Sequence, residues 1–176
     1  MENPMLQLRK LWKEESFKLI IRHLESVQKR LNRYNPELYV EMKDIFTWKF
    51  SPEVCILEFA FLDTVDGVNV LIYTLDDNFE EVLNVYGESC FAGSEKVFEN
   101  INIFNAEEEV ERSRLLIESP EILDKELDMI TRWFDDAFEK AVSRAGVPKC
   151  GCVFTVGFDD EKYFDLKEKV WKKKLG

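Results

Sequence analysis

The chain has 176 residues, 45% of them hydrophobic and 13% aromatic, which is enough to bury one core and is most simply a single domain. Its 35 Asp and Glu against 24 Lys and Arg give a net charge of −11, and the excess sits in the middle, with 28 carboxylates against 10 cations over residues 34–160 and positive segments on either side. Charge of that sign repels nucleic acid and anionic membrane, keeps a protein in solution, and speeds encounter with a basic partner.

Met1 to Lys13 mixes Leu with Arg9, Lys10 and Lys13, without a basic stretch followed by an unbroken apolar one, and no run is long enough to cross a bilayer. The expected compartment is therefore the cytoplasm. The four cysteines, Cys55, Cys90, Cys150 and Cys152, are too few for a disulfide framework, and Cys55 falls in an apolar strand pattern that suits a buried, reduced thiol.

In chain order, Trp12, Phe17, Ile20, Ile21, Leu24, Val27 and Leu31 recur at helical spacing and predict an amphipathic helix over about 5–33, ended by Asn35-Pro36. His23, the only histidine, lies near the edge of that stripe and reads as a hydrogen-bonded structural residue. From Glu37 to Phe50, Leu38, Val40 and Met42 alternate with polar residues and predict a strand with one wet face. Val54 to Thr74 holds two apolar, β-branched and aromatic runs joined through Asp66-Gly67, the pattern of a β-hairpin. Glu58, the one charge in its first run, is expected to face solvent, since a carboxylate is rarely buried unless paired.

Phe79 to Gly87 is read as a further strand through Val82, Asn84 and Tyr86, and Lys96 to Phe104 as another, so that the sheet spans about 38–104. Two helices follow. The first, about 106–117, carries Glu107, Glu108, Glu109 and Glu111 early and Arg112 and Arg114 late, which suits the helix dipole. The second, about 120–145, opens on Ser119 as N-cap with Pro120 in its first turn and presents Leu123, Leu127, Ile130, Phe134, Ala137, Phe138 and Ala141. A strand near 152–158 and a lysine-rich terminal helix over about 160–174 complete the chain. The class is α+β, an antiparallel or mixed sheet covered by long helices.

No constellation names a reaction. Cys150-x-Cys152 with Cys90 and His23 lacks the paired ligand spacing of structural zinc sites. There is no nucleophile elbow, no phosphate loop and no dinucleotide pattern, so no cofactor is expected. Asp76, Asp77, Asp159 and Asp160, like Asp63 and Asp66, stand where carboxylates can hold Mg²⁺ or Mn²⁺ for a small hydrolase, although Asp at such positions is also ordinary turn chemistry. Trp48, Tyr73, Tyr86 and Phe91 are aromatics beyond what the helix faces need, and such residues anchor protein interfaces.

With a lead helix, a meander through Glu58-Phe-Ala-Phe and Val70-Leu-Ile-Tyr-Thr, a long helix and Val153-Phe-Thr-Val-Gly-Phe-Asp-Asp, the chain resembles, over about 38–175, uncharacterised bacterial domains found among toxin-immunity proteins. That resemblance is architectural. It implies a non-enzymatic protein that binds and blocks a basic toxin, and it assigns no individual residue. The expected reading is an acidic binding protein using Glu107, Glu108, Glu109, Glu111, Trp48, Tyr86 and Phe91; the alternatives are the metal-dependent hydrolase and a homo-oligomer subunit assembled through basic terminal helices.

Overall fold

Apolar residues at helical spacing build the first layer. In the computed structural model, which describes residues 4–64, 67–84, 94–101, 103, 106–148, 152–157 and 161–174, helix α1 runs Pro4–Leu31 and passes through one 3-10 turn, Asn32–Tyr34, into α2, Asn35–Ile45. The expected strand over Glu37 to Phe50 is therefore a helix over most of its length. Leu38 and Met42 fit an alternating pattern, but with Ile45 they also fall at helical i, i+4, i+7 spacing, and all three are buried. Val40, which alternation would place beside them, is 60% exposed, and Pro36 sits in the first turn, where its missing N–H costs nothing.

The hairpin forms as its sequence demands. Strands β1, Ile56–Thr64, and β2, Gly67–Leu75, pair antiparallel, and β3, Ser94–Ile101, pairs with β2. Between β2 and β3, residues 79–84 form no continuous strand, Glu81 bridging to Leu75, and the rest of the expected strand, Tyr86 included, lies outside the described residues. That segment is fixed by side chains instead. Buried Asn84 accepts from the Ser51 N–H at 2.9 Å and donates to the Lys49 carbonyl at 3.1 Å, and the Thr74 hydroxyl donates to the Val82 carbonyl at 2.7 Å.

Helices α3, Ala106–Glu118, and α4, Glu121–Ala145, then lead to β4, Val153–Gly157, which lies parallel to β1. The expected terminal helix is absent, because Lys162–Asp165 and Val170–Lys173 form an antiparallel hairpin, β5 and β6, extending the sheet. Asp165 turns the chain by accepting the backbone N–H groups of Lys167 and Glu168 at 3.0 and 2.9 Å, and Lys169 takes the left-handed conformation at φ 60°. The resulting six-stranded mixed sheet has the order β3-β2-β1-β4-β5-β6.

One face of the sheet meets the helices. Phe59 and Phe61 of β1 both pack on Phe134 of α4, with centroids 5.3 and 5.1 Å away, and Phe154 of β4 meets Phe46 and Phe138. Helix α4 buries Ile122, Glu126, Ile130, Trp133, Phe134, Ala137, Phe138 and Ala141, so its inward stripe begins at Ile122 and leaves Leu123 45% exposed. Its N-cap is Pro120 rather than Ser119, and no side chain caps it; the Ser119 carbonyl instead accepts the Ile122 N–H.

On the opposite face, Tyr73, Glu58, Thr155 and Asp165 stand in one row across four strands. Glu58 is buried there, at 6% exposure, and does not face solvent. Lys174 provides the reason, since its Nζ reaches a Glu58 oxygen at 2.8 Å, and Gly157 provides the room. A Cβ on Gly157 would come within 2.7 Å of the Glu58 carboxyl carbon. Gly157→Ala is accordingly expected to displace the pinned carboxylate and destabilise the fold by about 1–3 kcal/mol, the usual range for overpacking. Urea denaturation checks this, and Glu58→Ala should make the second substitution nearly silent, a coupling that a double-mutant cycle reads directly.

Candidate functional site

Helix α3 is acidic at its start and apolar at intervals, and its described side chains from Glu109 onward divide between an inward and an outward face. Leu115 points inward, where it forms a small satellite cluster with Ile20 of α1 and Ile122 of α4. Beside it Arg112 grips Glu126 of α4 through both carboxylate oxygens, with contacts of 2.8 to 3.1 Å, while His23 Nε2 lies 2.6 Å from Glu126 Oε1. Burial pushes the Glu126 carboxyl up, but hydrogen bonds from His23 and Arg112 and the charge of both outweigh it and hold it below the usual carboxylate range. His23 is thus the clasp of a three-helix junction.

With Arg112 and Leu115 turned inward, helical geometry turns Val110, Arg114 and Ile117 outward along one stripe. Val110 is 74% exposed and Ile117 is 83% exposed. Glu111 and Glu118 flank the stripe on one side and Glu109 on the other, all exposed, and Glu118 holds Arg114 at 3.0 Å. Two branched aliphatic side chains thus stand exposed among carboxylates on one face of α3. The acidic run alone pointed to α3; the i, i+7 spacing of Val110 and Ile117 was the further signal in the sequence.

The other predicted binding residues are distributed differently. Glu107 and Glu108 lie in the first turns of α3, and nothing is described of their side chains. Trp48 is half-buried against the main core, stacks near Phe50 and donates its indole N–H to Asp44 at 3.2 Å, so it is partly committed to the fold. Tyr86 and Phe91 fall outside the described residues.

Among the aspartates, Asp76 accepts backbone N–H groups from Asn78 at 2.8 Å and Glu80 at 3.0 Å, the Glu80 bond foremost among those that depress its pKa. Asp77 accepts from the Asn78 side chain at 3.1 Å. Both are therefore occupied in shaping a turn, while Asp66, Asp159 and Asp160 lie outside the described residues. Among the described residues no group of three or more His, Cys, Asp or Glu is placed to hold a metal ion.

Cys55 is exposed rather than buried, and Cys152 is half-buried with its thiol donating to the Val54 carbonyl at 3.3 Å; Cys90 and Cys150 are outside the described residues. No helix among the described residues is long and apolar enough to cross a membrane. No protein-family model, curated protein or solved structure matches this chain, so its function is read from its own residues.

Proposed function

We propose that this protein is a non-enzymatic acidic binding protein that occludes a basic partner protein, in the manner of an inhibitor of a bacterial toxin, and that α3 is its recognition helix. The observation that carries the reading is the outward stripe of α3, where Val110 and Ile117 stand exposed between Glu109, Glu111 and Glu118. A partner suited to it presents Lys or Arg around a shallow apolar depression. Between residues 106 and 145 there are twelve Asp and Glu against six Lys and Arg, so the field around α3 favours approach of a cation-rich surface. Long-range attraction of this kind acts mainly on association rate and is screened by salt, whereas the aliphatic anchors act on residence time.

The test separates the two contributions. The tagged chain is used to capture proteins from its own host at low salt, followed by elution at high salt, alongside two variants. Reversal of Glu107, Glu108, Glu109 and Glu111 to lysine is expected to abolish capture of a salt-released basic protein, and Val110→Asp with Ile117→Asp is expected to weaken it by tenfold or more, the loss of about 1.4 kcal/mol or above. Equal capture by wild type and both variants would remove α3 from the interface and with it this assignment.

A further inference from the structure

A concave feature lies at the C-terminal end of α4. Where the helix stops at Gly146, the chain leaves a cleft of about 510 Å³ between the last turns of α4, strand β4 and the turn joining β5 to β6. Its size is that of small-molecule sites. The floor is apolar and buried, formed by Phe138, Phe154 and Leu166, while Val142 provides a half-buried wall. The mouth is charged. Lys167, Lys169 and Glu139 line it, and all three ionic groups reach solvent.

The charges at the mouth are unequal in what remains to them. Lys169 is committed to Asp135 and Glu139, so that group carries one net negative charge and is internally satisfied. Lys167 forms no ion pair with any described residue. A ligand head with one negative charge is matched by Lys167. A head with two would also face the net negative Glu139 side of the mouth. The surrounding segment 161–176 has six Lys against three carboxylates, a local reversal of the charge of the whole chain.

We infer that this cleft binds a small monoanionic amphiphile, with its apolar body on Phe138, Phe154 and Leu166 and its carboxylate at Lys167. The site is independent of the outward stripe of α3. Occupancy ties the end of α4 to the terminal hairpin, because its two walls belong to those two elements.

Decanoate is the probe, followed by isothermal titration of the full-length chain, with decan-1-ol and decyltrimethylammonium as matched neutral and cationic bodies. Saturable binding of decanoate is expected, tighter than either control. Lys167→Glu should weaken decanoate about fivefold, the scale of one solvent-exposed charge contact, and leave decanol unchanged. Val142→Trp should fill the cleft and abolish binding of both; if that variant does not fold by circular dichroism, Ser143→Trp blocks the same cleft from its exposed rim. Absence of saturable decanoate binding, equal affinity for the three probes, or binding that survives a correctly folded tryptophan variant would each overturn the assignment.

Discussion

Arg112→Ala is expected to destabilise the protein by about 3–5 kcal/mol, the cost of removing one partner of a buried ion pair. Glu126 is 1% exposed, and the guanidinium meets both of its oxygens, so removal leaves the carboxylate with His23 as its remaining described partner at that junction. The effect should carry a pH signature. The folded-state pKa of Glu126 lies below its ordinary value, so its stabilisation is complete above the unfolded pKa, about 4.3, and is lost as pH falls through the lower, folded value. Wild type should therefore lose stability in acid along a branch that Arg112→Ala flattens, measured as urea midpoints between pH 3 and pH 7. Replacing His23, Arg112 and Glu126 together with leucine or methionine should recover most of the loss, since an apolar cluster often matches a buried ion pair in stability. Because α3 otherwise rests on the small Ile20, Leu115 and Ile122 cluster, its amides should exchange faster in Arg112→Ala than those of α4.

Phe134→Ala should cost a similar amount, about 3–5 kcal/mol, by a different route. Its fully buried ring lies against Phe59, Phe61 and Trp133, with centroids within 5.3 Å, and so joins α4 to the first strand and to the indole that donates to Asn35 of α2. Truncation opens a cavity among aromatic rings that have few alternative rotamers with which to collapse. The loss should be independent of pH between 3 and 7, which distinguishes it from the Arg112 variant in the same denaturation series. Phe134→Leu should retain part of the stability, because it refills much of the volume without the edge-to-face contacts.

The parts of the fold legible in the sequence were those with a single periodic reading. The two apolar runs of the first hairpin, the long stripe of α4 and the helix of α3 each answer to one local rule, and the strands β1 and β2 and both helices formed where that rule placed them. Segments with two periodicities went to tertiary context. Leu38 and Met42 satisfy both alternation and helical spacing, Ile45 satisfies helical spacing alone, and all three are buried in the core that α2 shares with α4. The Lys-rich terminus carried enough apolar residues for an amphipathic helix, but Asp165 could fold back on two N–H groups, and the free edge of β4 offered a ladder.

Individual side chains were legible where a partner was near in sequence and obscure where it was distant. Asp76 shaping its own turn is local. Glu58 held by Lys174, and His23 set against Glu126, depend on residues roughly a hundred positions away, and no periodicity records such a pairing. The apolar stripe of α1 was read correctly as a helix but too broadly as a core face, because Phe17 and Ile21 are exposed while Ile20, Val27 and Leu31 are buried. On α3, Val110 and Ile117 were visible as letters; their outward direction needed Arg112 and Leu115 to be placed first.

The parallel pairing of β1 with β4 has a consequence for the chain during synthesis. Ile56 waits opposite Val153, so the inner edge of β1 has no partner until α3 and α4 have been made. Through that interval Ile-Leu-Glu-Phe-Ala-Phe-Leu is an apolar strand with open hydrogen-bonding groups, the kind of edge that recruits other nascent chains. Glu58 lies in its centre. Before Lys174 exists the carboxylate lacks that cation, and a charge at the centre of an apolar strand opposes stacking of one such strand on another. Once the terminal segment arrives, Lys174 reaches the same group, so a charge that disfavours association of the unfinished chain becomes a contact of the finished one.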